Sequence, residues 1–177
     1  MILSVLICSL KQRQEMLAKL LEHLERQKTR DVEILVEVDN GRLPVGSKRN
    51  RLLRKARGDY VVFVDDDDEV ADDYIHKILQ ACVWKPDCCG IMGQVRFRRR
   101  NIIRSFVHSI KYNSWFRRGN TYYRCPNHLN PVKRELALLT RFPQKRSGED
   151  YDYSIRLLPL LKTEEFIDGF IYFYLTQ

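Results

Sequence analysis

Residues Tyr60-Val61-Val62-Phe63-Val64 run without a charge directly into Asp65-Asp66-Asp67-Asp68-Glu69. Apolar, β-branched and aromatic side chains at both parities read as a strand buried on both faces, as inside a parallel sheet. The acids must then emerge at the C-terminal end of that strand, where open α/β sheets bind their ligands. Like charges at this density repel one another, and a bound cation is the simplest offset. The stretch therefore predicts a metal and nucleotide site. Asp65 and Asp67 are two apart and in extended backbone point the same way. Asp68, Glu69, Asp72 and Asp73 are assigned instead to the N-terminus of a following helix, where the dipole favours them. A calcium loop of EF-hand type is excluded. With Asp65 as first ligand, Val70 falls where glycine is needed and His76 where a bidentate Glu is needed.

The flanking sequence supplies the sheet for that strand. Ile2 to Ile7 reads as a first buried strand, and Lys11 to Gln27 as an amphipathic helix with Leu17, Leu20, Leu21 and Leu24 on one face. Val32 to Val38 is a second strand, stopped by Asp39-Asn40-Gly41. A helix capped by Ser47 runs to about Arg57, and another spans about Asp72 to Val83. This βαβαβα order predicts an α/β fold, one domain with a mostly parallel central sheet flanked by helices. Further on, Cys88 to Phe97 and Thr121 to Arg124 read as strands, and Cys125 to Pro131 as a loop. Pro131 to Leu139 and Gly148 to Leu161 read as helices. Glu165 to Leu175 reads as a closing pair of strands around Asp168-Gly169, while Asn101 to Arg118 shows no clear period.

Composition narrows the partners. The formal charge of +8 suggests a polyanionic or phosphate-bearing partner: nucleic acid, an anionic membrane surface or a phosphorylated substrate. The five scattered cysteines form no disulfide framework, which favours a reducing, cytoplasmic location. Cys88-Cys89 lacks the spacing of a zinc knuckle. No stretch reaches the ~20 apolar residues of a membrane span, although peripheral membrane contact stays open.

Asp39 after Val36-Glu37-Val38, the triplet Lys48-Arg49-Asn50, and the run Ala56-Arg57-Gly58-Asp59-Tyr60 through Asp68 together resemble glycosyltransferase family 2. That resemblance implies a GT-A fold related to the Rossmann fold, a donor-binding half of about 1–97 and an acceptor half of about 98–177. It implies transfer of a hexosyl group from a UDP- or GDP-sugar, with Mn²⁺ or Mg²⁺. On its pattern Asp39 contacts the base, and Arg49 and Asn50 lie near the donor nucleotide. The D-x-D motif falls on Asp65, Asp66 and Asp67, with Asp67 the direct metal ligand, Asp65 a second, and Asp65 or Asp66 facing the ribose. Lys48 is a further candidate for the diphosphate. Within Ser147-Gly148-Glu149-Asp150, Asp150 takes the position of the catalytic base, giving an inverting mechanism, and Glu149 orients the acceptor or the loop.

Other residues carry two readings each. His128, in the loop between the two motifs, is a candidate for acceptor, phosphate or metal, though a lone histidine is more often structural. Trp115, Tyr122 and Tyr123 form either a sugar-stacking platform or part of the core. Arg96, Arg98, Arg99, Arg100 and Arg104 are a solvated strand edge or face an acidic acceptor. Ser9-Leu10-Lys11 departs from the usual first nucleotide contact of the family, and the processive Q-x-x-R-W motif is missing, which points to single transfer onto a glycan, lipid-linked or protein acceptor. A sugar nucleotidyltransferase would need glycines between Ser9 and Glu15, and there are none. A nucleic-acid-binding module is the rival from another class. It requires a basic stripe with interleaved aromatics.

Overall fold

The computed structural model describes residues 1–176. Strands β1 (Leu3–Leu10), β2 (Val32–Asp39) and β3 (Tyr60–Phe63) form a parallel core with β1 in the middle, where Val5 lies between Ile34 and Val62. They are joined by helices α1 (Gln14–Gln27) and α2 (Val45–Lys55). There follow β4 (Glu69–Val70), α3 (Tyr74–Cys82), β5 (Cys88–Phe97), β6 (Ile102–His108), β7 (Phe116–Arg118) and β8 (Thr121–Arg124). The chain ends with β9 (Val132–Lys133), α4 (Arg134–Thr140), α5 (Glu149–Leu157) and β10 (Glu164–Thr176). All ten strands belong to one mixed sheet in the order β2-β1-β3-β9-β5-β6-β8-β7, with β10 along β5 and β4 along β10.

Strand parity divides the core in two. Leu3, Val5 and Ile7 of β1, with Tyr60 and Val62 of β3, pack against Leu20 and Leu24 of α1 and Ile75 and Ile78 of α3. Leu6, Cys8, Val61 and Phe63 face the other way, toward Leu52 and Leu53 of α2, Ala137 of α4 and Tyr153 and Leu157 of α5. Helices thus cover both faces, which is why β1 and β3 carry apolar residues at both parities.

β3 and β5 both run antiparallel to β9, and β10 runs parallel to β5. The C-terminal ends of β1, β2, β3, β5 and β10 therefore meet along one edge, and the acids lie there.

Four expectations change. The second helix begins at Val45 behind Pro44, so Ser47 lies inside its first turn and caps nothing. The closing segment is one long strand rather than a pair. Gly169, at φ +87, forms a bulge that shifts register between Phe166 and Tyr172 and lets pairing with β5 resume. The aperiodic stretch Asn101–Arg118 contains β6 and β7; every residue of β7 is exposed, so no burial pattern marks it. Asp68 and Glu69 do not serve helix α3, which starts only at Tyr74. Asp68 is bonded to β10, and Glu69 pairs with Arg96 and Arg98.

Candidate active site

The acids leave β3 through a turn, so Asp65 and Asp67 do not point the same way as extended backbone would have them: Asp65 meets Arg49 and His128, while Asp66 and Asp67 share Arg13. The backbone turns at Asp66-Asp67, closed by the Asp68 N–H to the Asp65 carbonyl at 3.2 Å. The run is therefore not extended, yet its alternation persists: Asp66 and Asp68 are buried, while Asp65 and Asp67 are partly open.

Asp65 follows Val61 and Phe63 toward α2 and α5. Its Oδ1 accepts from Arg49 Nη2 at 3.0 Å, and its Oδ2 lies 3.2 Å from His128 Nε2. Asp66 turns the other way, accepting from Ser9 Oγ at 2.6 Å and Arg13 Nη1 at 2.8 Å. Arg13 also reaches Asp67 Oδ2 at 3.0 Å. Asp68 accepts from the Tyr172 hydroxyl at 2.7 Å and the Leu175 N–H at 2.8 Å, and the same hydroxyl accepts from the Asp65 N–H at 3.2 Å.

Arg49 joins the two acidic motifs. Its guanidinium is buried, and while one nitrogen holds Asp65 the other donates to Glu149 Oε1 at 2.6 Å, across 100 residues of sequence. The planar fork suits this two-carboxylate bridge. Phe63 and Phe142 lie 5.6 and 5.3 Å from it, and Phe142 stacks on Tyr153 of α5. Gly148, at φ +72, turns the chain into α5 so that Glu149 and Asp150 start the helix. Asp150 is half-buried, and its Oδ1 accepts from the Tyr151 N–H at 2.8 Å. Lys48 Nζ donates to Asp39 Oδ1 at 2.8 Å and to the Ser9 carbonyl at 2.9 Å, which ties the ends of β1 and β2 to α2.

Electrostatics sort the carboxylates. Burial works against the charge on Asp65, but His128 and Arg49 outweigh it and hold the group well below the usual range. Asp39 is lowered to about 2, chiefly by Lys48 and then by the Leu43 N–H. Burial raises Asp67 despite Arg13, and burial with Asp65 pushes Asp68 up to about 8. Asp67 is thus a partly open carboxylate whose charge Arg13 compensates only in part.

Among the described residues no three His, Cys, Asp or Glu side chains converge as a metal cage. Both Asp65 oxygens are committed to Arg49 and His128. Asp67, partly open and under-compensated, still fits a Mg²⁺-type ion, which is held through one or two carboxylates and substrate phosphates. Its neighbours line a cleft of about 570 Å³ with Lys19, His23 and Arg98.

Asp39, Lys48, Arg49, Asp65, Asp66, Asp67, His128, Glu149 and Asp150 are gathered at this edge. Asn50 is not. Its amide clasps the backbone of Phe142 at 2.8 and 2.9 Å. The aromatics divide as well. Trp115 meets Tyr151 edge-on at 5.2 Å, whereas Tyr123 stacks on Phe116. Sequence reasoning missed Ser9, Arg13 and Tyr172. Only topology brings them to the acids, and nothing local distinguishes Arg13 from the other basic residues of its segment. The thiols of all five cysteines are free and buried, and no described helix is long and apolar enough to cross a membrane.

Comparison with known proteins agrees with this architecture. No curated protein matches the chain by sequence. Among solved structures, S. aureus TarS 1–349 superposes with a TM-score of 0.72 at 15% identity, over 99% of this chain and 60% of that one. TarS 1–349 in complex with UDP-GlcNAc gives 0.72 at 15% identity, over 100% and 59%. At that identity the likeness establishes the fold, and the chain spans about three fifths of those TarS structures. Residues 40–137 match the family described as Glycosyl transferase family 2, a span that holds Lys48, Arg49, the acidic run and His128. The chain belongs to glycosyltransferase family 2.

Proposed function

We propose that this chain transfers a single sugar from a nucleoside-diphosphate sugar to an acceptor hydroxyl, with inversion. The observation that carries the reading is the Arg49 bridge, which holds the acidic run and the start of α5 at one sheet edge. Membership in the family supports the reaction class, and the UDP-GlcNAc complex of TarS supports a UDP-sugar as donor.

Asp39, at the end of β2, faces the nucleotide base, and Lys48 beside it supplies positive charge near the diphosphate. Asp67 would hold a divalent cation together with the donor phosphates. Such an ion, when bound, offsets the charge gathering on the departing diphosphate. His128 and Arg49 fix Asp65, whose orientation is thereby set before donor arrives. Asp150 accepts the proton of the acceptor hydroxyl as that oxygen attacks the anomeric carbon from the face opposite the leaving group. The bond from the anomeric carbon to the phosphate oxygen breaks, and the nucleoside diphosphate departs with the electron pair. Glu149 takes no proton in this scheme, because it is tied to Arg49 and positions the helix start.

The test pairs two variants. Thermal-shift and calorimetric titrations with UDP-, GDP- and dTDP-sugars, with and without Mn²⁺, identify the donor. Asp67→Ala is expected to remove the Mn²⁺-dependent part of binding. Asp150→Asn is expected to keep donor affinity while losing transfer by about 10²–10⁴-fold. Normal turnover in Asp150→Asn would refute the base assignment, and a product with the donor's anomeric configuration by NMR would refute inversion.

A further inference from the structure

The second half of the chain carries a charge asymmetry that donor binding does not use. Between Asp87 and Glu135 there is no acid but eleven Lys or Arg, whereas the remainder holds 20 basic and 23 acidic residues. Some of the eleven are neutralised: Arg96 and Arg98 by Glu69, and Lys133 by Asp87. Arg104 and Arg124 have no carboxylate partner among the described residues.

These two arginines are held by aromatic rings instead. Arg104, on β6, donates to the Tyr122 hydroxyl at 2.7 Å and lies 5.7 Å from its ring centre. Arg124 shares the β8 face of Tyr122, being two residues on. Its guanidinium lies 5.8 Å from the Tyr122 ring and 4.4 Å over Trp115. Trp115 in turn meets Tyr151, whose N–H is bonded to Asp150. Two cations and three rings thus form a ladder that ends at the proposed base. Burial lowers the pKa of Arg124, with Asp150 offsetting part of that. A guanidinium stacked on a ring keeps its N–H fork free for a planar or tetrahedral anion.

We propose that this ladder is the acceptor subsite and that the acceptor is a glycan bearing phosphate or carboxylate groups. An anionic group sits on Arg124, a sugar ring lies against Trp115 and Tyr151, and a neighbouring hydroxyl reaches Asp150. The proposal rests on the assignment of Asp150 above. The pattern is also that of a nucleic-acid groove, but the ladder ends at Asp150, beside the Arg49 that also faces Asp65 and Glu149, and these carboxylates repel a continuing phosphate backbone.

The test uses Trp115 as reporter in a Trp84→Phe background, Trp84 being exposed and the other of the two tryptophans. Dextran phosphate, polygalacturonate, neutral dextran and a single-stranded oligonucleotide are titrated at low and high salt. The expected result is a salt-sensitive change with dextran phosphate or polygalacturonate and none with neutral dextran; the stronger of the two identifies the anion. Arg124→Gln and Arg104→Gln, each checked for folding by circular dichroism, are expected to weaken that binding at least about tenfold. Calorimetric affinity for the nucleoside diphosphate should be unchanged. Equal binding of neutral dextran, or full affinity in folded Arg124→Gln, overturns the subsite. Tighter binding of the oligonucleotide overturns it in favour of nucleic acid, and lost nucleoside-diphosphate affinity in Arg124→Gln overturns it in favour of the leaving group. A wild-type chain that binds the anionic glycan but no nucleoside diphosphate overturns the donor reading and supports the subsite.

Discussion

Arg49 is the buried cation that pairs with both acidic motifs. Burial works against its charge, and Asp65 foremost, with Glu149 and Asp150, holds its pKa above the usual value. Arg49→Met would leave buried Glu149 without its counter-charge and Asp65 with His128 alone, an expected loss of about 3–5 kcal/mol read by urea denaturation. Arg49→Lys should fall between wild type and Met, because an ammonium cannot span both carboxylates as the fork does. A loss below about 1 kcal/mol in the Met variant would place these acids with the surface pairs that contribute little. That the acids gather at one sheet edge was legible in the sequence, because a strand buried on both faces runs straight into them. Their counter-charges were only half legible. Arg49 was marked by its family motif, while Arg13 and Ser9 come from a segment that departs from the usual pattern.

The elements most easily read were those whose burial pattern is local. β1, β2, β3 and the helices between them announce themselves through period and turn residues. β10 does not, since Phe166 to Tyr174 alternates loosely and Gly169 suggests a turn where the structure has a bulge. Yet this strand completes the site. Its Tyr172 hydroxyl joins Asp68 to the Asp65 backbone, and Gly93 opposite leaves no room for a side chain against the Tyr172 carbonyl. Tyr172→Phe removes one oxygen but unsatisfies two buried groups, at an expected cost of about 1–3 kcal/mol. Thermal unfolding should show a lowered Tm, and an unchanged Tm would mean that the hydroxyl is dispensable to the edge.

Acid response depends on groups from across the structure with opposing signs. His108 is buried between Phe106 and Asn130, its Nδ1 3.1 Å from Asn130 Oδ1, and burial lowers its pKa to about 3. Below about 6.5 the unfolded chain takes up a proton that the native state refuses, so this group lowers stability as pH falls from about 6.5 toward 3. Asp68, raised to about 8, acts in reverse: native protonation adds stability as pH falls from about 8 toward 4. The two therefore oppose each other in mildly acid solution. His108→Gln keeps an amide for Asn130 and removes the first contribution. Urea midpoints between pH 7.5 and 4.5 should fall less steeply in the variant than in wild type, and parallel profiles would refute the buried neutral histidine.

The dependence of Asp68 on Tyr172 and Leu175 also has a temporal meaning. During synthesis the acids leave the ribosome about a hundred residues before the strand that satisfies Asp68. Until β10 docks, Asp68 lacks both of its partners and the Asp65 N–H lacks its acceptor. Arg49 likewise waits for Glu149. A nascent chain therefore holds its most repulsive cluster open until the closing strand arrives. The acidic edge is complete only once β10 has docked, and a chain that lacks this strand holds these groups unpaired.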